Sequence, residues 1–273
     1  MRIYRTRAAS RLSVSVQFPA QSWLYPCRKV QQSLTENLLI RALPSDAIAE
    51  LDRRASVIEL QLAQRIFEVG DGTHIFFPLD AVISMLRNLE DGSSVEVAMV
   101  GREGTASVTT LLGVPDNSLE GLTQGRGYTA VVDSAVVRGI VDSSAAARAV
   151  FHHYFAAYLG GIAQLAACNR LHVIVKRLAH WLLLLHDRVG CGVMSVTQEF
   201  LSRMLASRRA GINEAIQELA RSGAIEHSRN RVVVQDRRLL EELSCECYLV
   251  SVEEYERALG FAPVAKGRCA AID

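Results

Sequence analysis

Thr197-Gln198-Glu199-Phe200-Leu201 and, a few residues on, Arg208-Arg209-Ala210-Gly211-Ile212-Asn213 decide how this chain reads. Thr197 is a helix cap, and Glu199 stands in the first turn, where the helix dipole favours an anion. Leu201, Met204 and Leu205 give that helix one buried side, and Ala206-Ser207 makes a tight connection. A second helix is expected from about Arg208 to Arg221, with Ile212, Ala215, Ile216 and Leu219 inward and Gly223 as its stop. Ile225 leads into a hairpin, Glu226 to Arg229, a tip at Asn230-Arg231, then Val232-Val233-Val234. Two short helices joined by a small-residue turn and followed by a basic β-hairpin are a winged helix-turn-helix.

The module is rich in arginine: Arg203, Arg208, Arg209, Arg221, Arg229, Arg231, Arg237 and Arg238. Arg208 and Arg209 open the second helix, where a groove-docked helix presents side chains to bases and phosphates, and arginine pairs bidentately with guanine. Asn213 and Gln217 follow at about one-turn intervals. Arg229 and Arg231 suit phosphate contact, and Thr197 and Ser207 flank the two helix starts as further DNA-binding candidates. One such arginine would mean a solvated surface; the set, in this element order, means double-stranded DNA as partner.

Upstream the period falls towards two. Val57-Ile58-Glu59-Leu60, Arg65-Ile66-Phe67, Ile75-Phe76-Phe77, Ala81 to Leu86 and Val95 to Val100 read as short strands. Turn signals at Gly70-Asp71-Gly72, Pro78, Glu90-Asp91-Gly92 and Gly101 separate them, and more strands are expected from Leu119 to Ile140. Closely spaced short strands mean an antiparallel sandwich or barrel. Before them, Leu34, Leu38, Leu39 and Leu43 repeat at helical spacing up to Pro44, and Ser45 and Asp46 cap a second short helix.

Near Ser143 the period turns helical again. Phe151, Phe155, Tyr158, Ile162 and Leu165 alternate in steps of four and three, which is the seam of one helix packed along another and predicts a homodimer. The same spacing also fits an amphipathic helix lying on its own sheet. A second, leucine-rich helix runs from Leu171 to Val189.

Composition sets the outer limits. The chain has 273 residues, 49% of them hydrophobic and 22% charged, with a net charge of +1. That permits a substantial core and excludes disorder throughout, collagen and a small disulfide scaffold. No apolar run reaches the ~18–20 residues of a membrane span. Residues 1–32 are basic, without an apolar stretch of secretory type, and read as a disordered tail. The six cysteines form no Cys-x-x-Cys pair. With Cys245 and Cys247 one residue apart, the spacing suits neither a zinc knuckle nor an easy disulfide, so no metal ligand set is expected and reduced thiols in the cytoplasm are the default. One histidine, His74, between Val57 and Ile140 speaks against a cupin-type metalloenzyme, and no catalytic motif appears.

Phe76-Phe77-Pro78-Leu79, Leu89-Glu90-Asp91-Gly92, Val100-Gly101-Arg102-Glu103-Gly104, Thr197 to Leu201 with Arg208-Arg209, and Cys245-Glu246-Cys247-Tyr248 together carry a resemblance. Over about Ser33 to Tyr248 the chain resembles transcription regulators of the Crp/Fnr superfamily. The resemblance implies an α+β protein: an N-terminal eight-stranded antiparallel jelly-roll sensor domain, a long dimerisation helix and a C-terminal winged helix-turn-helix. It implies a homodimer reading a palindromic site, with RNA polymerase a further candidate partner and no enzymatic activity. Expected boundaries are 1–32 (tail), 33–142 (sensor), 143–190 (dimerisation and connecting helices), 191–248 (winged helix) and 249–273 (C-terminal tail).

The effector-pocket candidates are Gly101, Arg102, Glu103, Gly104 and Thr105. Cyclic-nucleotide binders of this family follow their glycine-glutamate turn with an Arg-Ser/Thr-Ala phosphate clasp. Here Arg126 is followed by Gly127-Tyr128, so cyclic AMP is not expected to be the effector. Cys27 alone does not make the N-terminal cysteine cluster of the family's iron–sulfur sensors, and no cofactor is expected. In the recognition helix Ala210 replaces the usual acidic partner and Glu214 stands where a base is common. This keeps open the alternative of a protein–protein signalling module whose winged helix has lost DNA binding.

Overall fold

The computed structural model of the protein describes residues 33–114, 118–190, 193–261 and 263; the basic segment 1–32, Cys191 and Cys269 lie outside them. In chain order the elements are α1 (Leu38–Arg41), α2 (Ser45–Arg54), β1 (Ser56–Leu60), β2 (Arg65–Phe67), β3 (His74–Pro78), β4 (Val82–Asn88) and β5 (Ser94–Val100). Then come α3 (Val108–Leu111), β6 (Glu120–Gly125), β7 (Gly127–Asp133), α4 (Ser134–Ser143), α5 (Ala145–Leu171) and α6 (Ile174–Val189). The last module holds β8 (Val193–Ser195), α7 (Gln198–Met204), α8 (Arg209–Arg221), β9 (Ile225–Ser228), β10 (Arg231–Val234), α9 (Arg237–Leu243) and α10 (Cys247–Leu259).

The sensor strands form two antiparallel sheets, ordered β1-β7-β3 and β2-β6-β4-β5. Seven of the eight strands that the resemblance implies are therefore among the described residues. The strand run ends earlier than expected: the Asp133 carboxylate accepts from the backbone N–H of Ala135 at 2.7 Å and starts α4, which buries Val137 and Ile140. The helix expected across Leu34 to Leu43 is also interrupted. Buried Asn37 caps α1 by accepting from Ile40 N at 3.0 Å, and its amide donates to the carbonyls of Pro78 and Gly104, both at 2.8 Å. A side chain that bonds backbone in this way competes with helix continuation. Ser45 is the first residue of α2 and Pro44 its cap, without a side-chain bond.

Two apolar cores organise the molecule. The first joins Ile75, Phe77, Ile83 and Met85 of the sheets to Leu39, Leu51, Ile140, Phe151 and Tyr154 of the helices. Tyr154 lies over Gly104, where an added Cβ would come within 2.3 Å of the ring, and its hydroxyl donates to the Thr105 carbonyl at 2.7 Å. The second core joins Leu178, Trp181 and Leu182 of α6 to Leu201, Ile212, Ile216 and Val232, and also to Val82, Leu86 and Met99 of the sensor sheet. The winged module thus packs directly against β4 and β5.

Two expectations are corrected here. The spacing assigned to a dimer seam is satisfied inside one chain: Phe151 and Tyr158 are buried in the first core, Phe155 and Ile162 pack against it, and Leu165 faces a cleft shared with α6. The segment from residue 249 is no tail as far as Leu259, because α10 lies along α5. The two helices approach closely at Gly160, where a Cβ would stand 3.0 Å from Glu254 Oε2. Among the described residues no helix is long and apolar enough to cross a membrane.

A carboxyl is trapped where the sensor sheet meets α6. Glu96 of β5 accepts from Trp181 Nε1 at 3.0 Å and lies 2.6 Å from the Ser84 hydroxyl, which also contacts the Gln124 side-chain oxygen. Ser84 has one proton for two acceptors, so a proton on Glu96 completes the chain. Burial pushes Glu96 up to about 7 from an ordinary 4.5, against the hydrogen bonds from Ser84 and Trp181 and the charge of Arg188. The folded chain then holds this proton more tightly than the unfolded one. The stability linked to Glu96 is complete below pH 4.5 and is lost as pH rises through about 7. Glu96→Gln should remove this slope. In thermal melts across that range, wild type should lose a few kcal/mol relative to the variant as pH rises, at ~1.4 kcal/mol per pKa unit; parallel curves would contradict the assignment.

Candidate nucleic-acid interface

Thr197 Oγ accepts from Phe200 N at 3.1 Å and fixes the start of α7. Ala206 turns the chain with φ at 43°, and the Ser202 hydroxyl donates to the Ser207 carbonyl across the turn. Arg208 caps α8 through its backbone, without a side-chain bond. Ile212, Ala215, Ile216 and Leu219 face the second core, which turns Arg208, Arg209, Ala210, Glu214 and Gln217 outward. β10 lies between β8 and β9, and Arg229 and Arg231 stand exposed at the hairpin end.

Arg208, Arg209, Gln217, Arg229 and Arg231 are therefore exposed on one module. Arg208, Arg229 and Arg231 have no acidic partner among the described residues. Arg209 pairs with Glu199 at 3.0 Å, both side chains largely in water. Such a pair contributes about 0–1 kcal/mol and gives way readily to a phosphate or a base edge. Other candidates are held elsewhere. Asn213 is half-buried and accepts from the Gln198 amide at 3.1 Å, Ser207 is half-buried in the turn, and the Thr197 hydroxyl is engaged as a cap.

Arg203 and Arg237 are engaged by other parts of the chain. Arg203 donates to Ser94 of the sensor and lies 3.9 Å from Glu120. Arg237 reaches Asp187 at 2.7 Å, Glu241 at 2.9 Å and the Tyr248 hydroxyl at 2.6 Å. Burial and the adjacent Arg237 charge lower the His186 pKa.

The fold brings the effector-pocket candidates together but packs them. Glu103 is fully buried and paired with Arg188 of α6 at 2.9 Å, and its Oε1 also accepts from Gly101 N at 3.0 Å. The Arg102 carbonyl accepts from Leu38 N at 2.6 Å, Thr105 donates to the Phe76 carbonyl at 2.8 Å, and Gly104 lies under Tyr154. Arg126 lies outside this turn, exposed and paired with Glu59 at 2.7 Å.

One group escaped the sequence reading. The donor atoms of Cys168, His172, Cys245 and Cys247 all lie within 4.8 Å of one another. Local spacing does not register this group, because its members come from distant parts of the chain. Cys168 lies in the last turn of α5 and His172 is the extended residue that caps it, and folding adds Cys245 and Cys247 from the α9–α10 joint.

Residues 176–243 match the Crp-like helix-turn-helix domain, from within α6 to the end of α9. No curated protein matches the chain in sequence. Solved structures are similar in fold. A transcriptional regulator of the Crp/Fnr family from Eubacterium rectale superposes with a TM-score of 0.61 at 15% identity, covering 77% of this chain and 98% of that one. FixK2 from Bradyrhizobium japonicum gives 0.61 at 14%, covering 70% and 98%. The c-di-GMP responsive regulator CLP from Xanthomonas campestris gives 0.56 at 12%, covering 71% and 100%. The chain has the fold of the Crp/Fnr transcription regulators and carries a Crp-like helix-turn-helix domain at residues 176–243.

Proposed function

We propose that this protein is a sequence-specific DNA-binding transcription regulator, without enzymatic activity, that acts as a homodimer on a palindromic site. One observation carries the reading. The match to a Crp-like helix-turn-helix coincides with a helix whose apolar side is buried and whose first turn presents Arg208 and Arg209 to solvent, beside Arg229 and Arg231 on the wing.

A docked helix brings its N-terminal residues to base edges, whereas a wing reaches backbone. Arg209 is the base reader in this reading and Arg231 a phosphate contact. The effector is a ligand other than cyclic AMP: the glutamate of the Gly101–Thr105 turn is paired with Arg188, and Tyr154 fills the space over Gly104.

The second copy meets α5 on a face different from the one its bulky residues suggest. Ala149, His152, Ala156, Leu159, Ala163, Ala166 and Arg170 are exposed and repeat in steps of three and four. Leu159 is 53% exposed and stands mid-stripe among small residues. A heptad stripe of this kind suits close pairing with an identical helix. Ala163→Glu places like charges in that seam, and sedimentation should then give monomers from a wild-type dimer; an unchanged dimer would move the interface elsewhere.

DNA binding is tested on a selected site and on the same site with one base changed, each at two salt concentrations. Arg209→Ala should cost roughly 1–3 kcal/mol on the selected site and reduce discrimination at one base. Arg231→Ala should weaken both sites alike and lower the salt slope by about one unit or less. Equal losses on both sites for Arg209→Ala would mean a phosphate contact and a different docking register. No selected site at all would favour a signalling module without DNA.

A further inference from the structure

We propose that Cys168, His172, Cys245 and Cys247 form a binding site for a zinc-class divalent metal ion that ties the end of α5 to the joint between α9 and α10. Cys168, Cys245 and Cys247 are 1%, 4% and 1% exposed and form a cluster of their own, separate from the two apolar cores. Cys168 Sγ lies 3.5 Å from Cys245 Sγ, and Cys247 Sγ lies 3.5 Å from His172 Nδ1. Tetrahedral zinc with Zn–S bonds of ~2.3 Å sets its sulfurs ~3.8 Å apart. The two short separations suit that polyhedron, and with all four donor atoms within 4.8 Å of one another a shift of about an ångström or less completes it.

The surroundings match a ligand set as well. His172 turns Nδ1 to the cysteines and Nε2 to Glu246 Oε1 at 3.4 Å, the carboxylate–histidine arrangement that orients a metal-bound imidazole. Gln164 Nε2 donates to Cys247 Sγ at 3.0 Å, a bond that favours a thiolate. His180 Nδ1 lies 3.5 Å from Cys168 Sγ, and His180 and Arg177 line the same cleft as Cys168, adding positive or polar groups beside three sulfurs. Three thiolates and one imidazole form a closed tetrahedral set that selects soft or borderline ions over magnesium or calcium. A Cys168–Cys245 disulfide would use two of the four groups and give no role to Cys247 or to the His172–Glu246 contact.

The test uses the full chain, chelator-stripped and kept reduced, titrated anaerobically with Co²⁺. Thiolate-to-cobalt charge transfer and intense tetrahedral d–d bands should saturate at about one ion per chain, and Zn²⁺ should abolish them by displacement. The bands should persist when Cys27, Cys191 and Cys269 are all serine, and disappear in Cys168→Ser/Cys247→Ser. Exposed Glu246 allows a variant that keeps the fold: Glu246→Gln should weaken Co²⁺ affinity roughly tenfold or more with the same spectrum. A wild-type titration without these bands overturns the site, as does one whose bands survive the double substitution. A chain that air oxidises to a Cys168–Cys245 disulfide, with dioxygen as the electron acceptor, and that takes up no cobalt once reduced again assigns the pair to redox chemistry and overturns it too.

Discussion

Glu103 and Arg188 meet where water does not reach either of them, their side chains 0% and 3% exposed and 2.9 Å apart. A buried pair of this kind adds little net stability compared with a well-packed apolar pair. Removal of one partner, however, leaves a stranded charge and costs about 3–5 kcal/mol. It therefore acts as a constraint. Glu103 belongs to the turn after β5, Arg188 to the last turn of α6, and their contact fixes the helix that opens the Crp-like domain against the sensor. The aliphatic stem of Arg188 lies against Gly101, and a Cβ there would come within 2.9 Å of it.

Once α6 is placed, the rest of the interface follows. Trp181, two turns earlier on the helix, reaches Glu96, and Leu178 and Leu182 complete a core that takes in both the sensor sheet and the winged module. Arg203 extends the contact to Ser94 and Glu120. Polar bonds at this junction are set among apolar contacts, so they specify one orientation while burial supplies most of the stabilisation. The turn that reads in sequence as an effector cassette has become part of this joint.

A second joint lies at the far end of α5. α10 folds back along α5, and this brings the Cys245–Cys247 segment to Cys168 and His172. The two joints hold the winged module from different sides, one through an ion pair and tryptophan, the other through sulfur and imidazole. Between them α8 and the wing keep their arginines in solvent.

What the sequence by itself determined is local. Thr197 as a cap, the inward Ile212, Ala215, Ile216 and Leu219, the positions of β1 to β5 and the outward Arg208 and Arg209 were all legible, because capping and the 3.6- and two-residue periods involve only neighbouring residues. Tertiary structure decided which of two faces on α5 is buried, since Phe151 and Tyr158 have the same spacing whether the partner is a second copy or the chain's own sheet. It also tied Arg203 to Ser94 and Arg237 to Asp187, engaged Glu103 with Arg188, and gave Cys168 and His172 two cysteines from beyond residue 240. Those outcomes depend on groups far apart in the chain, and no local period encodes which distant side chain will stand opposite.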